Sequence, residues 1–448
     1  MGVSKKELGM IPRTIARYGV RSAPGDEDVI RAAFRRGEAV SGPAIEEYET
    51  EFAKFHQMEY ATAASFGRMA FHYILQALKL PAGSEIIFPA LTFWVVPEIA
   101  RRAGLRPVFV DVDPATFNID PAKIEAALTE HTRAIVPTHL YGQPCAMHEI
   151  MNIAEKHNLI VIEDCAQAVG ARYRGRRVGT FGTAAFFSFQ LLKGINTYGG
   201  GMVLTNDLAL SRSVRDQVVK EPPQSMTDLA RRFATGYVAR VAVSPKVFTF
   251  WSFPLQATIS LLGNADLSRF IWEKIRPLER FPHTYHQRYS NVQALIGLRG
   301  LANLDANNER CREHAATYTR GLIDCRNIQA PYVAPDVEHV FYQYSVYTSD
   351  SALLSRRAIR RGVDVETTHV DVCSKLELFK EFRAECPGAE ATEKALQLPV
   401  YSRLRVSDVD RVLRTVLEAS KDLPPIGGEL AGTAPTKSPS LLMKERAS

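Results

Sequence analysis

Between residues 59 and 207 the chain repeats one alternation. A short run of apolar residues gives way to a stretch in which apolar residues recur with helical spacing. EYATAAS, SEIIFPA, RPVFVDVD, TRAIVPTHL and LIVIEDC are the runs. MAFHYILQALKL, PEIARRAG, PAKIEAALTE and MHEIMNIAEKHN are the periodic stretches between them. Continuous apolar runs suit strands buried on both faces, and the periodic stretches suit amphipathic helices. Strand and helix in alternation predict a mostly parallel sheet covered on both sides, an α/β fold. AAFFSFQ and GGMVLTND extend the sheet. Upstream, DEDVIRAAFRR (26–36) and SGPAIEEYETEFAKFHQ (41–57) read as helices, the second with Pro43 near its start.

The character changes near residue 291. NVQALIGLRGLANLDANNERCREHAATYTRGL is one long helical pattern, VFYQYSVYTS an alternating strand, and SALLSRRAIRRG and SDVDRVLRTVLEASKDL are helices. The patterns predict an N-terminal arm (1–25), a large domain (26–290), a smaller C-terminal α/β domain (291–423) and a Pro/Gly/Ser-rich tail (424–448) that is expected to be disordered. An atypical insert occupies about 220–280. Within it, VFTFWSFPLQATISLLG (247–263) carries no charge. It is short for a membrane span and is interrupted by Pro254. Core or subunit packing, a hydrophobic lid, and peripheral contact with a membrane interface next to Lys246 stay open as its role.

Composition narrows the function classes. The 448 residues are 46% hydrophobic and 23% charged, ordinary values for a folded domain. A net charge of +6 without a long Lys/Arg block gives no reason to expect nucleic acid. The 6 cysteines form no CxxC pair, so neither a metal site nor a disulfide framework is expected. Reduced thiols and an N-terminus without an apolar signal core suggest a cytoplasmic protein, peripheral to a membrane if 247–263 touches one.

In open α/β sheets, ligands bind beyond the carboxyl ends of the strands. Four features fall at such ends: SFGRMA (65–70), PALTFW (89–94), Asp164 with Gln167, and Ser188 with Lys193 ahead of Gly199, Gly200 and Gly201. Each alone is a weak signal. Together they meet the needs of pyridoxal 5′-phosphate. A carboxylate keeps the ring nitrogen protonated, a lysine forms the Schiff base, an aromatic covers a ring face, and hydroxyl and backbone donors take the phosphate. Glycines let backbone pass close to the cofactor.

The chain resembles the DegT/StrS-type sugar aminotransferases, pyridoxal-phosphate enzymes of fold type I. The resemblance covers most of 25–420 and rests on ordered matches: SGPAIEEYETEFAKF, SFGRMAFHYILQAL, SEIIFPALTFW, PTHLYGQPCAM, VIEDCAQAVGA, FFSFQLLKGINTYGGGMVLTND and ALQLPVYSRLRVSDVDRV among them. It implies a three-layer α/β/α large domain with a smaller C-terminal domain, and a homodimer. It implies Lys193 as the catalytic, cofactor-bonding lysine and Asp164 as partner of the ring nitrogen. Gln167 would lie near the ring hydroxyl and Ala166 under one ring face. Phe93 would stack on the other face, with Trp94 beside it. Ser188, Gly67 and Arg68 would bind the phosphate.

Members that dehydrate carry histidine in place of this lysine, so amino transfer is expected. The donor would be L-glutamate and the acceptor a nucleotide-linked keto-sugar. Alternatives are a lipid-linked or other apolar ketone as acceptor, another pyridoxal-phosphate reaction, and a non-catalytic membrane-associated homologue. Three departures stand out. Arg68 replaces the family's threonine, and Gly194 its asparagine after the lysine. His286 stands where the family sends an asparagine to the partner subunit's cofactor phosphate, with Arg288 kept. His139 and Tyr141 are placed to line the active site but are read as packed or capping residues first. By resemblance His339 and Tyr342 lie where the family approaches the sugar, and they could equally be sheet residues.

Overall fold

The computed structural model describes residues 13–19, 22–262, 274–367 and 370–426. Among them, seven strands form the main sheet: β1 (Tyr60–Ala64), β2 (Glu85–Pro89), β3 (Arg106–Val110), β4 (Thr132–Ile135), β5 (Ile160–Asp164), β6 (Ala184–Ser188) and β7 (Gly201–Thr205). Their order is β1-β7-β6-β5-β4-β2-β3. All neighbours are parallel except β7, which runs against both β1 and β6. That reversal brings the start of β7 to the edge where the other strands end, with Gly201 opposite Ser188.

The double apolar run in β6 shows why the sheet is covered twice. Successive strand residues point to opposite faces. Phe186 meets Phe71 of α3 (Gly67–Leu78) at 4.9 Å between ring centroids. Phe187 meets Phe52 of α2 (Ala44–His56) at 4.9 Å on the other side. β5 uses the same alternation at its polar end. Glu163 turns to one face and Asp164 to the other, and both are buried.

Glu163 accepts hydrogen bonds from the backbone N–H groups of Gly179, Phe181 and Gly182 at 2.7, 2.7 and 2.8 Å. His139 completes the set: its Nδ1 accepts from Cys145 N–H, which leaves its Nε2–H to donate to Glu163 Oε2 at 3.1 Å. His139, Glu163 and Cys165 lie close enough to suggest a metal site. Those hydrogen bonds already engage both Glu163 oxygens and the imidazole, so the cluster is read as an anchor for the 179–182 loop.

A second sheet is antiparallel throughout, in the order Ile328–Gln329, Tyr344–Thr348, Ala395–Leu398, Glu366–Thr367. The helices Leu304–Leu322 and Val406–Ser420 cover it through Tyr318, Leu322, Val412 and Val416.

Three expectations change. PAKIEAALTE forms two short 3₁₀ turns, Pro121–Lys123 and Glu125–Ala127, instead of a helix. Ile124 is its one fully buried apolar side chain, so no stripe exists to hold two helical turns against the sheet. The long pattern from 291 is two helices, Asn291–Ala302 and Leu304–Leu322, divided at Asn303 with φ −101° and ψ 0°. VFYQYSVYTS is a strand only over Tyr344–Thr348, because Phe341 takes a left-handed φ of 44°.

The insert is helical over α7 (Met226–Ala242) and again from Pro245 to Leu262. Phe248 and Phe253 are buried with Ala16 and Ile359, whereas Phe250, Trp251 and Leu255 are 59%, 76% and 63% exposed. The stretch is thus divided between packing and surface. No helix among the described residues is long and apolar enough to cross a membrane. Residues 1–12, 20 and 21 of the expected arm, 263–273 of the expected insert and 427–448 of the expected tail lie outside the described residues.

Glu163→Ala leaves the buried Gly179 N–H, the part-buried Phe181 and Gly182 N–H groups and the buried His139 Nε2–H without an acceptor, at about 1–3 kcal/mol for each fully buried one. Urea unfolding should show a loss of at least about 3 kcal/mol. A change below about 0.5 kcal/mol would contradict the anchoring role.

Candidate active site

One cavity of about 430 Å³ opens at the carboxyl edge of the main sheet. Eight of the nine residues expected from the sequence line it: Gly67, Arg68, Phe93, Asp164, Ala166, Gln167, Ser188 and Lys193. They arrive from the ends of β1, β2, β5 and β6, where each strand passes into a loop or helix.

Asp164 is 3% exposed. Its backbone is pinned by Asp164 N–H to Pro137 O at 2.9 Å and His139 N–H to Asp164 O at 3.0 Å. Its Oδ1 accepts from Ala166 N–H at 3.0 Å. Burial pushes its carboxyl up to about 6, against the pull of the Ala166 N–H, Lys193 and His139. Its charged form costs folding energy, and a cation beside it would lower that cost. Gln167 is oriented by its neighbour, since its Oε1 accepts from Tyr141 N–H at 3.0 Å. That leaves its amide N–H groups as donors for a ligand.

Lys193 follows β6 in a tight turn, its N–H donating to Gln190 O at 2.9 Å. Its Nζ lies 5.1 Å from the centroid of the Tyr342 ring. Beside it, three backbone segments meet. A Cβ on Gly67 would stand 2.9 Å from both Phe187 O and Ser188 Cβ, and one on Gly201 would stand 2.5 Å from Gly67 N. No real Cβ tolerates that approach, so glycine is required at both positions. The result is a narrow cradle with the Ser188 hydroxyl and the first turn of α3 at its wall, suited to an anion.

Phe93 lines the cavity, with the Arg68 Cζ 5.6 Å from its ring centroid. Trp94, 1% exposed, is packed beneath it and not on the cavity wall. The ninth residue, His286, lies outside this cavity. Its Nδ1 stands 2.9 Å from Glu221 Oε1.

Tyr342, which the resemblance placed near the substrate, also lines the cavity, and so do Thr138 and Val370, which were not among the candidates. Thr138 follows β4 and meets the strand-end rule, so the sequence carried its signal. Tyr342 and Val370 come from the C-terminal region, and no local pattern could place them here. His339 is packed: it is buried, stacked on Phe341 at 4.0 Å, and its Nδ1 accepts from Phe341 N–H at 2.8 Å.

A cavity holding a lysine, a buried carboxyl and an anion cradle suits a flat, phosphorylated, cationic ring. Comparison with known proteins points the same way. The chain is 44% identical over 307 residues to a GDP-perosamine synthase of Escherichia coli O157:H7, covering 68% of this chain and 70% of that protein. It is 33% identical over 401 residues to the pleiotropic regulatory protein of Geobacillus stearothermophilus, covering 87% and 93%. The crystal structure of S. venezuelae DesV in complex with a ketimine intermediate matches with a TM-score of 0.71 at 27% identity, covering 89% of this chain and 95% of that one. The model of the DegT/DnrJ/EryC1/StrS aminotransferase family matches residues 23–417. A match over nearly the whole chain, on the fold-type I architecture described above, establishes that the chain belongs to this aminotransferase family.

Proposed function

We propose that this aminotransferase uses pyridoxal 5′-phosphate to move an amino group from an amino acid, L-glutamate, to a keto-sugar carried on a nucleotide. The observation that carries the reading is the presence of Lys193 and the buried Asp164 in one cavity beside the Gly67–Ser188–Gly201 cradle. The GDP-perosamine synthase similarity supports a nucleotide-linked sugar as acceptor.

The residues fit the cofactor. Burial makes the charge of Asp164 costly, and a protonated ring nitrogen beside it would offset that cost. The cradle leaves no room for side chains, as close contact between backbone and a phosphate requires. When bound, the cofactor supplies an electron sink for negative charge developing at the α-carbon of the donor.

Asp164 would hold the proton on the ring nitrogen. Gln167 would donate to the ring hydroxyl. Phe93 would exclude water from one ring face and Ala166 would support the other. Ser188 Oγ and the backbone of Gly67 and Arg68 would hold the phosphate. Lys193 Nζ would take the proton from the donor α-carbon and return it on the acceptor half of the cycle. The alternating half-reactions make the kinetics ping-pong.

We extend the reading to a homodimer. The side chain of His286 is 45% exposed, and its Nδ1–H donates to Glu221. Its Nε2 can then donate to a second copy's phosphate only while the imidazole is protonated.

Purified protein should show a visible absorption band that L-glutamate bleaches, and the acceptor should be recovered aminated with 2-oxoglutarate from the donor. In Lys193→Ala, turnover should fall at least about 10³-fold. A band that glutamate leaves unchanged would refute the donor, and a Lys193→Ala enzyme of near wild-type rate would refute the role of the lysine.

Asp164 also sets a pH dependence in the cofactor-free chain. Its folded value of about 6 lies above the ordinary 3.8, so the folded protein holds the proton more tightly than the unfolded one. Stability therefore falls as pH rises from about 4 to about 6, and the penalty is complete above that. Burial also pushes Asp371 up to about 6, so the difference between wild type and Asp164→Asn isolates Asp164. Denaturant unfolding should show wild type losing about 2–3 kcal/mol more than Asp164→Asn across this window. Parallel profiles would contradict the assignment.

A further inference from the structure

The insert leaves large apolar side chains uncovered on one side. In the helical stretch from Pro245 to Leu262, Phe248 and Phe253 turn inward, against Ala16 and Ile359. Phe250, Trp251, Pro254, Leu255 and Thr258 turn outward. The outward positions are spaced three to four residues apart, as on one side of a helix. Ser252 Oγ donates to Ala242 O at 2.8 Å and ties this stretch to the end of α7. On α7, Tyr237 and Val238, about one turn before Ala242, are 52% and 65% exposed. Single exposed apolar residues are ordinary, but a set at helical spacing marks a surface that something covers.

Cations without acids flank this face. Neither Pro245–Leu262 nor the helix Ser351–Arg360 contains a carboxylate. The two pack together through Ile359, which is buried with Phe248 and Phe253. Arg356, one turn before Ile359, and Arg360 share a helix face and are exposed, as is Lys246 on the insert. None of these three cations has a side-chain hydrogen bond or ion pair among the described residues. The one acid of α7, Asp228, is engaged by Arg231 and Gln287.

We propose that this face docks on the interfacial layer of a membrane containing anionic lipids. Phe250, Trp251 and Leu255 enter the headgroup boundary, and Lys246, Arg356 and Arg360 meet lipid phosphates. Tryptophan and phenylalanine beside basic residues suit that layer, where one side is apolar and the other charged. The helix lies on the membrane and does not cross it, since no described helix is long and apolar enough to span. A second copy of the chain is the other occupant an apolar face could take. Two-fold pairing of this face would set the same cations against each other, with no carboxylate on either helix to meet them. Docking needs neither cofactor nor substrate, so it stands apart from the amino-transfer reading.

The test is sedimentation of the full chain with vesicles in about 0.1 M NaCl. One set is phosphatidylcholine alone, and the other carries about 30% phosphatidylglycerol. Wild type should pellet with the anionic set, and Arg356→Gln and Arg360→Gln should each weaken binding about fivefold. Replacing Phe250, Trp251 and Leu255 together by serine should weaken it at least about a hundredfold. These side chains are exposed, so circular dichroism should show the fold kept. Trp251→Phe should still bind, with a smaller shift of tryptophan emission to shorter wavelength on the vesicles. Failure of wild type to pellet, equal binding to both vesicle sets, or full binding by the triple variant would each overturn the proposal. So would a lower molar mass of the triple variant in solution, which would give the face to a second copy.

Discussion

Asp164 is a carboxyl whose charge burial makes costly, in a cavity where a cationic ligand would offset that cost. Its backbone is bonded on both sides, to Pro137 and His139, and its side chain takes the Ala166 N–H. Its neighbour on β5, Glu163, is buried on the opposite face and is fully engaged by backbone donors and His139. The pair divides two tasks over adjacent residues. One carboxylate holds the loop behind the strand, and the other is left short of partners where a ligand can reach it. A strand exit whose position is this constrained can hold a ring nitrogen in one place.

The cradle depends on a second constraint, the reversal of β7. A parallel β7 would carry its glycine end to the far edge of the sheet. Antiparallel, it delivers Gly201 to Gly67 and Ser188, and three backbones meet closer than any side chain allows. The insert packs against the same junction through Arg232, so an addition that looks peripheral in sequence touches the most crowded part of the site.

The strands were legible because consecutive apolar residues such as Phe186 and Phe187 must be buried on both faces of a sheet. The site was legible for a related reason: eight of its expected residues sit at strand exits or helix starts, positions that the alternation itself marks. The rest was hidden by distance along the chain. A glycine cluster does not announce the direction of the next strand. Tyr342 joins the cavity through packing of the C-terminal region, and nothing local in EHVFYQY shows it. PAKIEAALTE has helical residues but only Ile124 to bury, and length alone misled.

Lys193 and Asp164 are proposed to grip one pyridoxal phosphate. The most direct measurement is borohydride reduction of the purified protein, followed by digestion and peptide mass spectrometry. The account predicts a phosphopyridoxyl group on Lys193 alone, with labelling lost when Asp164 is replaced by alanine. A label on another lysine, or none after incubation with the cofactor, would contradict it.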